Sequence, residues 1–184
     1  MAAVCVYCAS GEPIEEHFLE LATAVGTGLA ARGYSLVSGG GRVSMMGAVA
    51  RAARAGGAHT LGVIPRHLMP LEVADTDADS LVIVETMRER KKVMDEASDA
   101  FLALPGGIGT LEELFEVWTA GSLGMHTKPV VVLDDGAFYQ PLWDFLESLA
   151  GRGFVRPAAL AGLVRVSRVE DALAAIERVV PAPG

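Results

Sequence analysis

Short apolar runs alternate with longer amphipathic segments along the whole of this 184-residue chain. The runs have the length of buried strands, and the segments between them carry apolar residues at helical spacing. Predicted strands cover residues 3–8, 34–38, 59–64, 81–84, 100–104, 128–133 and 163–166. Because parallel strands need a helical crossover between them, the alternation predicts an α/β fold with a parallel sheet wrapped by helices.

The segments between these strands are predicted to form helices, with one exception. Predicted helices begin after Pro13 and near Thr110, and others cover residues 43–55, 87–98, 139–149 and 169–179. Residues 65–80 show little periodicity and are predicted to be a loop. Since no linker or repeat divides the chain, we expect a single domain over residues 1–180 and a short tail at 181–184.

The charge and hydropathy of the chain exclude several classes of protein. The formal net charge of −8 argues against a general nucleic-acid binder, which would carry a basic face. No apolar run approaches the ~18 residues of a membrane span, and the first residues lack the features of a signal peptide. We therefore expect a cytoplasmic protein that binds neither nucleic acid nor membrane.

The two cysteines, Cys5 and Cys8, form a C-x-x-C pair within the first predicted strand. A separation of three residues places their side chains on opposite faces of a strand. A redox or zinc site is therefore disfavoured, and two buried thiols are expected. The histidines are scattered along the chain and offer no clustered metal site, so no metal and no cofactor is expected.

Two glycine-rich turns, Gly39–Gly41 and Pro105–Thr110, connect predicted strands to predicted helices. Glycines let a ligand approach the backbone, and the free N–H groups of a helix start attract phosphate. Neither turn fits a dinucleotide fingerprint, because Ser44 and Glu112 stand where its last glycine belongs, and neither contains an ATPase loop. Because ligands bind at the carboxyl ends of parallel strands, where Ser10 also lies, a phosphate site is favoured over tight turns alone.

One arginine near the start of the third predicted helix lies on an unexpected face. Thr86 and Glu89 form a capping box there, which alone would explain a basic helix start exposed to solvent. Arg90, however, shares the apolar stripe of Met94 that should face the protein. An arginine in that position needs an anionic partner or ligand, because burying it unpaired is costly.

Glu113 lies just after the second glycine turn and has two explanations. Thr110-Leu-Glu-Glu113 matches a capping box in which Thr110 is the N-cap and Glu113 reaches back to it. A carboxylate beside a phosphate cradle would, however, be repelled by the phosphate, and this suggests chemistry on a phosphorylated molecule rather than binding alone. At C1 of a sugar, a carboxylate can stabilise a developing cation or activate water.

Together these residues closely resemble the LOG (Lonely Guy) family. The similarity rests on Gly40 and Gly41 with Gly47, on Met87-x-x-Arg90-Lys91 and on Pro105-Gly-Gly-x-Gly-Thr-x-x-Glu113, and it extends from the first strand to about residue 150. Members are cytokinin riboside 5′-monophosphate phosphoribohydrolases, often mislabelled lysine decarboxylases. The resemblance implies a Rossmann-like, doubly wound parallel sheet, commonly a homodimer with active sites at the subunit interface. It also implies hydrolysis of the N-glycosidic bond of an N6-modified adenosine monophosphate, giving free base and ribose 5-phosphate.

The same resemblance suggests site residues position by position. Arg90 and Glu113 look like the catalytic pair of the family. With Ser10 at the strand edge, the residues expected to bind the nucleoside 5′-monophosphate are Gly40, Gly41, Glu72, Met87, Lys91, Gly107, Ile108, Gly109, Thr110 and Thr119. Two departures, Arg88 where a histidine is common and Val43-Ser-Met-Met where Gly-Leu-Met is usual, question base preference more than activity.

Two other functions stay open at the level of sequence. A lysine decarboxylase would need pyridoxal phosphate on a lysine, and the chain contains only Lys91, Lys92 and Lys128. A non-catalytic nucleotide-binding module would carry the same motifs, with Arg90 and Glu113 serving only structure.

Overall fold

The computed structural model describes residues 2–182, except for the side chains of Leu71 and Glu72. Seven parallel strands form one sheet in the order β4-β3-β2-β1-β5-β6-β7. The strands are β1 (Ala3–Tyr7), β2 (Ser35–Ser38), β3 (Thr60–Pro65), β4 (Ser80–Val84), β5 (Ala100–Ala103), β6 (Val130–Leu133) and β7 (Leu163–Val166). The chain runs outward from β1 to β4, returns to β5 beside β1, and runs outward again. The predicted doubly wound α/β sheet is confirmed, and its winding reverses between β1 and β5.

Helices cover both faces of this sheet. They are α1 (Glu16–Ala31), α2 (Ser44–Ala55), α3 (Met69–Glu72), α4 (Met87–Glu96), α5 (Ile108–Ser122), α6 (Gln140–Gly151), α7 (Pro157–Ala161) and α8 (Val169–Glu177). On one face α1, α2 and α8 contribute to a core that includes Val25, Val49 and Leu173. On the other face α4, α5 and α6 contribute Met94, Leu114 and Trp143 to a second core. Because both faces are covered, β1, β5 and β6 are buried throughout, which explains their continuous apolar sequences.

Cys5 and Cys8 are both buried, and they belong to the two different cores. Their predicted placement on opposite faces of the sheet is confirmed, although Cys8 lies one residue beyond the end of β1. Burial raises the pKa of the Cys5 thiol well above its ordinary value, so this thiol stays protonated at neutral pH. Among the side chains of residues 2–182 that the structure describes, no group of three or more acidic, histidine or cysteine side chains could hold a metal ion. No helix in the same part of the chain is long and apolar enough to cross a membrane.

The prediction that residues 65–80 form a loop is wrong in part. A 3-10 turn at Arg66–Leu68 and the short helix α3 occupy its first half, and Ala74 forms an antiparallel bridge with Gly41. The Asp75 N–H donates to the carbonyl of Gly40 at 2.8 Å, and the Asp75 carboxylate pairs with Arg54 at 2.7 Å. These contacts join the segment to distant backbone and to one arginine. Because such contacts leave no periodic pattern in the sequence of the segment, the sequence did not predict them.

The end of the chain also differs from the prediction. Helix α7 was not expected, because five residues are too few to show helical periodicity; Trp118 holds it in place by donating its indole N–H to Ala159 at 2.7 Å. In the predicted tail, Ala182 packs against the α1–α2–α8 core, and Pro183 and Gly184 lie outside the described residues. The other predicted elements are present, with ends shifted by a few residues. The domain boundary at residue 180 stays a prediction.

Candidate active site

A cavity of about 560 Å³ opens at the carboxyl ends of β1 and β5, where the winding of the sheet reverses. This is the position at which open α/β sheets bind ligands. Its walls come from the loop after β1, the start of α5, two side chains of α4, and Met46 and Leu68. We call it the switch-point cavity.

Eight of the predicted site residues line the switch-point cavity. They are Ser10, Met87, Arg90, Gly107, Ile108, Gly109, Thr110 and Glu113. Lys91 and Thr119 instead line an adjoining cavity of about 650 Å³, which shares Glu112 and Glu113 with the first. Gly40 and Gly41 line neither cavity, and the side chain of Glu72 lies outside what the structure describes. The structure therefore brings both members of the predicted catalytic pair to one cavity.

Arg90 is buried, with 4% of its surface exposed, and it is held by the backbone of two strands. Its Nε donates to the carbonyl of Val63 at the end of β3, at 3.1 Å. Its Nη2 donates to the carbonyl of Gly39 after β2, at 2.8 Å. The predicted inward orientation of Arg90 is confirmed, as is the capping box of Thr86 and Glu89 at the start of α4.

The first glycine turn is shaped by close backbone and side-chain contacts. A Cβ on Gly39 would lie 1.9 Å from Arg90 Nη2, so only glycine leaves space for the guanidinium. Gly40 has a φ of +74°, which favours glycine, and Gly62 approaches it so closely that a Cβ on Gly62 would lie 2.9 Å from its Cα. The Gly41 N–H donates to the sulfur of Met46 at 3.1 Å. This turn affects the cavity indirectly, because it accommodates the guanidinium of Arg90, which lines the cavity.

Helix α5 begins two residues earlier than predicted, and the predicted capping box is wrong. Gly107 is the N-cap in an extended conformation, no side chain caps the helix, and Thr110 is the third helical residue. The Thr110 side chain folds back over the turn, because Gly106 has no Cβ; one would lie 2.1 Å from Thr110 Oγ1. The uncapped first turn of α5 lines the cavity and presents the backbone N–H groups that bind anions at helix starts.

Glu113 is the sixth residue of α5 and therefore cannot cap it. Its carboxylate lines both cavities. Charge from Glu113 and Arg90 reaches the same buried thiol: after burial, Glu113 is the next cause that raises the pKa of Cys5, and Arg90 lowers it. Both members of the pair therefore lie close enough to Cys5, in the middle of the central strand β1, for their charges to act on its thiol.

Lys91 points away from the switch-point cavity and bridges two helices. It pairs with Glu112 and Glu116 of α5, and 18% of its side chain is exposed. Burial alone would lower the pKa of Lys91, but the two carboxylates outweigh burial and raise it. Lys91 therefore stays charged and ties α4 to α5.

The loop between β1 and α1 is the main part of the cavity wall that the sequence did not reveal. Residues 8–14 all line the cavity, and of these only Ser10 was predicted. Glu12 accepts a hydrogen bond at 3.2 Å from the backbone N–H of Ser44, at the start of α2. The position of this loop after the central strand was the one feature of the sequence that could have predicted its role in the cavity wall. The loop itself contains no recognisable motif.

Residues 46–176 match a protein-family model described as possible lysine decarboxylase. The cytokinin riboside 5′-monophosphate phosphoribohydrolase of Mycobacterium tuberculosis is 52% identical over 172 residues, which cover 94% of this chain and 91% of that protein. The cytokinin riboside 5′-monophosphate phosphoribohydrolase LOG of Oryza sativa is 40% identical over 178 residues, 97% of this chain and 74% of that protein. The chain belongs to the LOG family. Another relative of this LOG-family chain, the phosphoribohydrolase of Mycobacterium marinum, is 54% identical over 172 residues.

Solved structures with the same fold include proteins of a different kind. The molybdenum cofactor binding protein from Rippkaea orientalis has a TM-score of 0.75 at 22% identity and covers 98% of both chains. The Moco carrier protein from Chlamydomonas reinhardtii has a TM-score of 0.73 at 21% identity and covers 97% of both chains. At this identity the likeness shows that the LOG-family chain shares their architecture, and function has to be argued from the site.

Proposed function

We propose that this LOG-family chain hydrolyses the N-glycosidic bond of cytokinin riboside 5′-monophosphates, and of AMP, to the free base and ribose 5-phosphate. The observation that carries the proposal is the meeting of three features in one cavity. The uncapped start of α5, the buried Arg90 and the carboxylate of Glu113 all line it. Two relatives that are 52% and 54% identical to this chain in sequence are named for this activity, which supports the same reaction here.

The start of α5 is the proposed binding site of the 5′-phosphate. Backbone N–H groups at residues 107–110 are suited to an anion, and the helix macrodipole adds a partial positive charge. Glu113 lies four residues beyond Gly109, which is about 6 Å along the helix axis. The negative carboxylate is thus separated from the phosphate by the length in which a ribose can lie.

At the sugar, the proposed reaction passes through an oxocarbenium-like transition state. The C1–N bond breaks and a water oxygen adds to C1, where it keeps one proton as the new hydroxyl, while the second proton of the water ends on the departing base. Glu113 stabilises the positive charge that develops at C1 or accepts the proton of the attacking water. Arg90 orients the nucleotide and supports the leaving base, since its two backbone bonds fix the guanidinium at the cavity wall. This chemistry uses one water molecule together with groups that the chain supplies.

A homodimer in the cytoplasm is the proposed state of the protein. Exposed apolar side chains support an interface on the α5 side of the molecule: Ile108 is 89% exposed, Leu123 66% and Met125 76%. Leu123 and Met125 also line the adjoining cavity, so a partner subunit placed there would lie beside the proposed site.

Base release is the experiment that tests the proposed reaction. The protein is incubated with isopentenyladenosine 5′-monophosphate and, separately, with AMP, and free base is measured by chromatography. Release of base together with ribose 5-phosphate is the expected result. Measurable binding of nucleotide without any base release would instead identify a non-catalytic nucleotide-binding module.

The decarboxylase description of the family finds little support in this chain. None of its three lysines lines the switch-point cavity. Lys91 is paired with two glutamates, and Lys128 contacts both the carboxylate and the carbonyl of Asp95, at 2.6 and 2.7 Å. An internal aldimine absorbance after incubation with pyridoxal phosphate would support the decarboxylase hypothesis, and we expect no such absorbance.

A further inference from the structure

A single hydroxyl outside the cavity holds the turn that leads into α5. Tyr139, in the connection between β6 and α6, is buried, and its Oη donates to the carbonyl of Leu104 at 2.8 Å. The backbone N–H of Gly106 lies near the same oxygen, where it lowers the pKa of the phenol. One phenol group therefore bonds to the backbone before Pro105 and lies near the N–H that follows Pro105, which itself has no N–H to contribute.

Tyr139 is fixed in turn by a buried carboxylate. Asp134 accepts a hydrogen bond from the backbone N–H of Tyr139 at 2.7 Å and from Arg165 Nε of β7, also at 2.7 Å. The guanidinium of Arg165 lies 5.2 Å from the ring centre of Trp143. These contacts run from the edge strand β7 to the turn, so the hydroxyl acts from a rigid support.

The proton of this hydroxyl is available for donation at neutral pH. Burial raises the pKa of Tyr139 well above its ordinary value, and the Gly106 N–H only partly offsets this. The neutral phenol therefore keeps the proton that it donates to the carbonyl of Leu104.

This turn connects the sheet to the proposed phosphate site. Leu104 is bonded to β1 through its N–H to Tyr7, and the Pro105 carbonyl accepts from Ala9 at 3.2 Å. The next residues, Gly106 and Gly107, are the most flexible kind of backbone, and they decide the direction in which the N–H groups of α5 point. Thr110 packs against the first of them, and the Tyr139 hydroxyl restrains the turn through its bond to Leu104.

We propose that Tyr139 is a positioning residue for the phosphate-binding start of α5. Its hydroxyl aligns the first-turn N–H groups by holding the Leu104 carbonyl at the start of the turn, and Tyr139 itself lines neither cavity. The inference rests on the proposed function for the identity of the phosphate ligand. It adds a residue of the β6–α6 connection to the site.

Tyr34 provides a matched control. It is also buried, and its hydroxyl donates to a backbone carbonyl, that of Val180, at 2.5 Å. It belongs to the opposite core and lines neither cavity. Tyr139→Phe and Tyr34→Phe thus each remove one hydroxyl bonded to backbone, and only the first removal affects the turn.

Calorimetric titration with ribose 5-phosphate and with adenosine tests the inference without relying on turnover. We expect Tyr139→Phe to weaken the binding of ribose 5-phosphate about tenfold or more, because the N–H groups that bind the phosphate lose their alignment. The binding of adenosine, which has no phosphate, should be unchanged. Tyr34→Phe should bind both ligands as the wild type does. In the base-release assay, Tyr139→Phe should raise the KM for AMP more than it lowers kcat.

Three outcomes would overturn the inference. They are wild-type affinity for ribose 5-phosphate in Tyr139→Phe, an equal loss of affinity in Tyr34→Phe, and no binding of ribose 5-phosphate by the wild type. A wild type that binds ribose 5-phosphate yet releases no base would overturn the proposed reaction and leave the role of Tyr139 intact. Melting temperatures of both variants, measured alongside, show that each is folded.

Discussion

At the scale of single residues, the position of Arg90 depends on a glycine at a distant point in the chain. The guanidinium binds the carbonyls of Val63 and Gly39, so it cannot turn toward solvent without breaking two hydrogen bonds. A planar fork of N–H groups can serve two divergent carbonyls, whereas the ammonium of lysine cannot do so in the same geometry. Arg90 is thus oriented before substrate arrives, which lowers the entropy lost on binding.

Gly39→Ala is predicted to damage the site while leaving Arg90 in the sequence. The new Cβ would lie 1.9 Å from Arg90 Nη2, so the guanidinium must move and lose its bond to residue 39. We expect base release to fall by about a hundredfold, the effect typical of losing one preorganised donor in an active site. The measurement is kcat/KM for AMP.

Gly151→Ala is the control for this change. Gly151 ends α6, has no atom within 4 Å of an added Cβ, and lies away from both cavities. It should keep wild-type kcat/KM. If Gly39→Ala retains full activity with a native melting temperature, the backbone support of Arg90 is irrelevant to catalysis.

At the scale of elements, α5 joins the parts of the site that bind and react. Its first turn faces the cavity, Glu113 follows on the same helix, and Glu112 and Glu116 bind Lys91 of α4. Movement of α5 would therefore shift the phosphate site and the carboxylate together, and it would change their position relative to Arg90 on α4. The Lys91 ion pairs connect the two helices that carry the catalytic pair.

Lys91→Met is predicted to remove a pH-dependent part of this connection. The folded-state pKa of Lys91 is raised above its ordinary 10.5, so the ion pairs stabilise the fold below pH 10.5, and this contribution is lost as the pH rises through the folded-state value. Because Glu112 and Glu116 are half exposed, we expect less than about 1 kcal/mol at neutral pH. The free energy of urea unfolding, measured at pH 8 and at pH values above 10.5, should show the difference between wild type and variant shrinking.

Lys92→Met is the matched control, since Lys92 is its sequence neighbour and makes a long 3.9 Å contact with Glu96 on the surface. Its free energy of unfolding should follow the wild type at every pH. A Lys91→Met difference that grows with pH would contradict the assigned ion pairs.

At the scale of the whole molecule, the alternation of strands and helices was enough to predict the fold, because burial on both faces gives strands such as β5 and β6 uniformly apolar sequences. Local spacing also predicted the inward face of Arg90. The start of α5 was mispredicted because Thr110 mimics a capping residue, while the real constraint is its contact with Gly106. The anchoring of residues 73–75 and the cavity wall at 8–14 depend on contacts between distant segments, which no local pattern encodes.

The proposed homodimer yields a prediction at this scale. Leu123→Glu places a charge on an exposed apolar side chain at the end of α5, and we expect it to shift the protein from dimer to monomer in size-exclusion chromatography with light scattering. Val179→Glu, on an exposed apolar side chain after α8 at the opposite side of the sheet, should remain dimeric. A wild type that is monomeric at micromolar concentration would contradict the assembly.

Glu113→Gln in the base-release assay tests the central claim most directly. The substitution keeps the size of the side chain and removes its charge, and α5 should fold as before because Glu113 does not cap it. The account predicts no detectable release of base from isopentenyladenosine 5′-monophosphate, with ribose 5-phosphate binding and melting temperature preserved. Glu147→Gln, on the exposed surface of α6, should keep full activity. Near wild-type base release by Glu113→Gln would show that this carboxylate is not the catalytic group and would contradict the proposed mechanism.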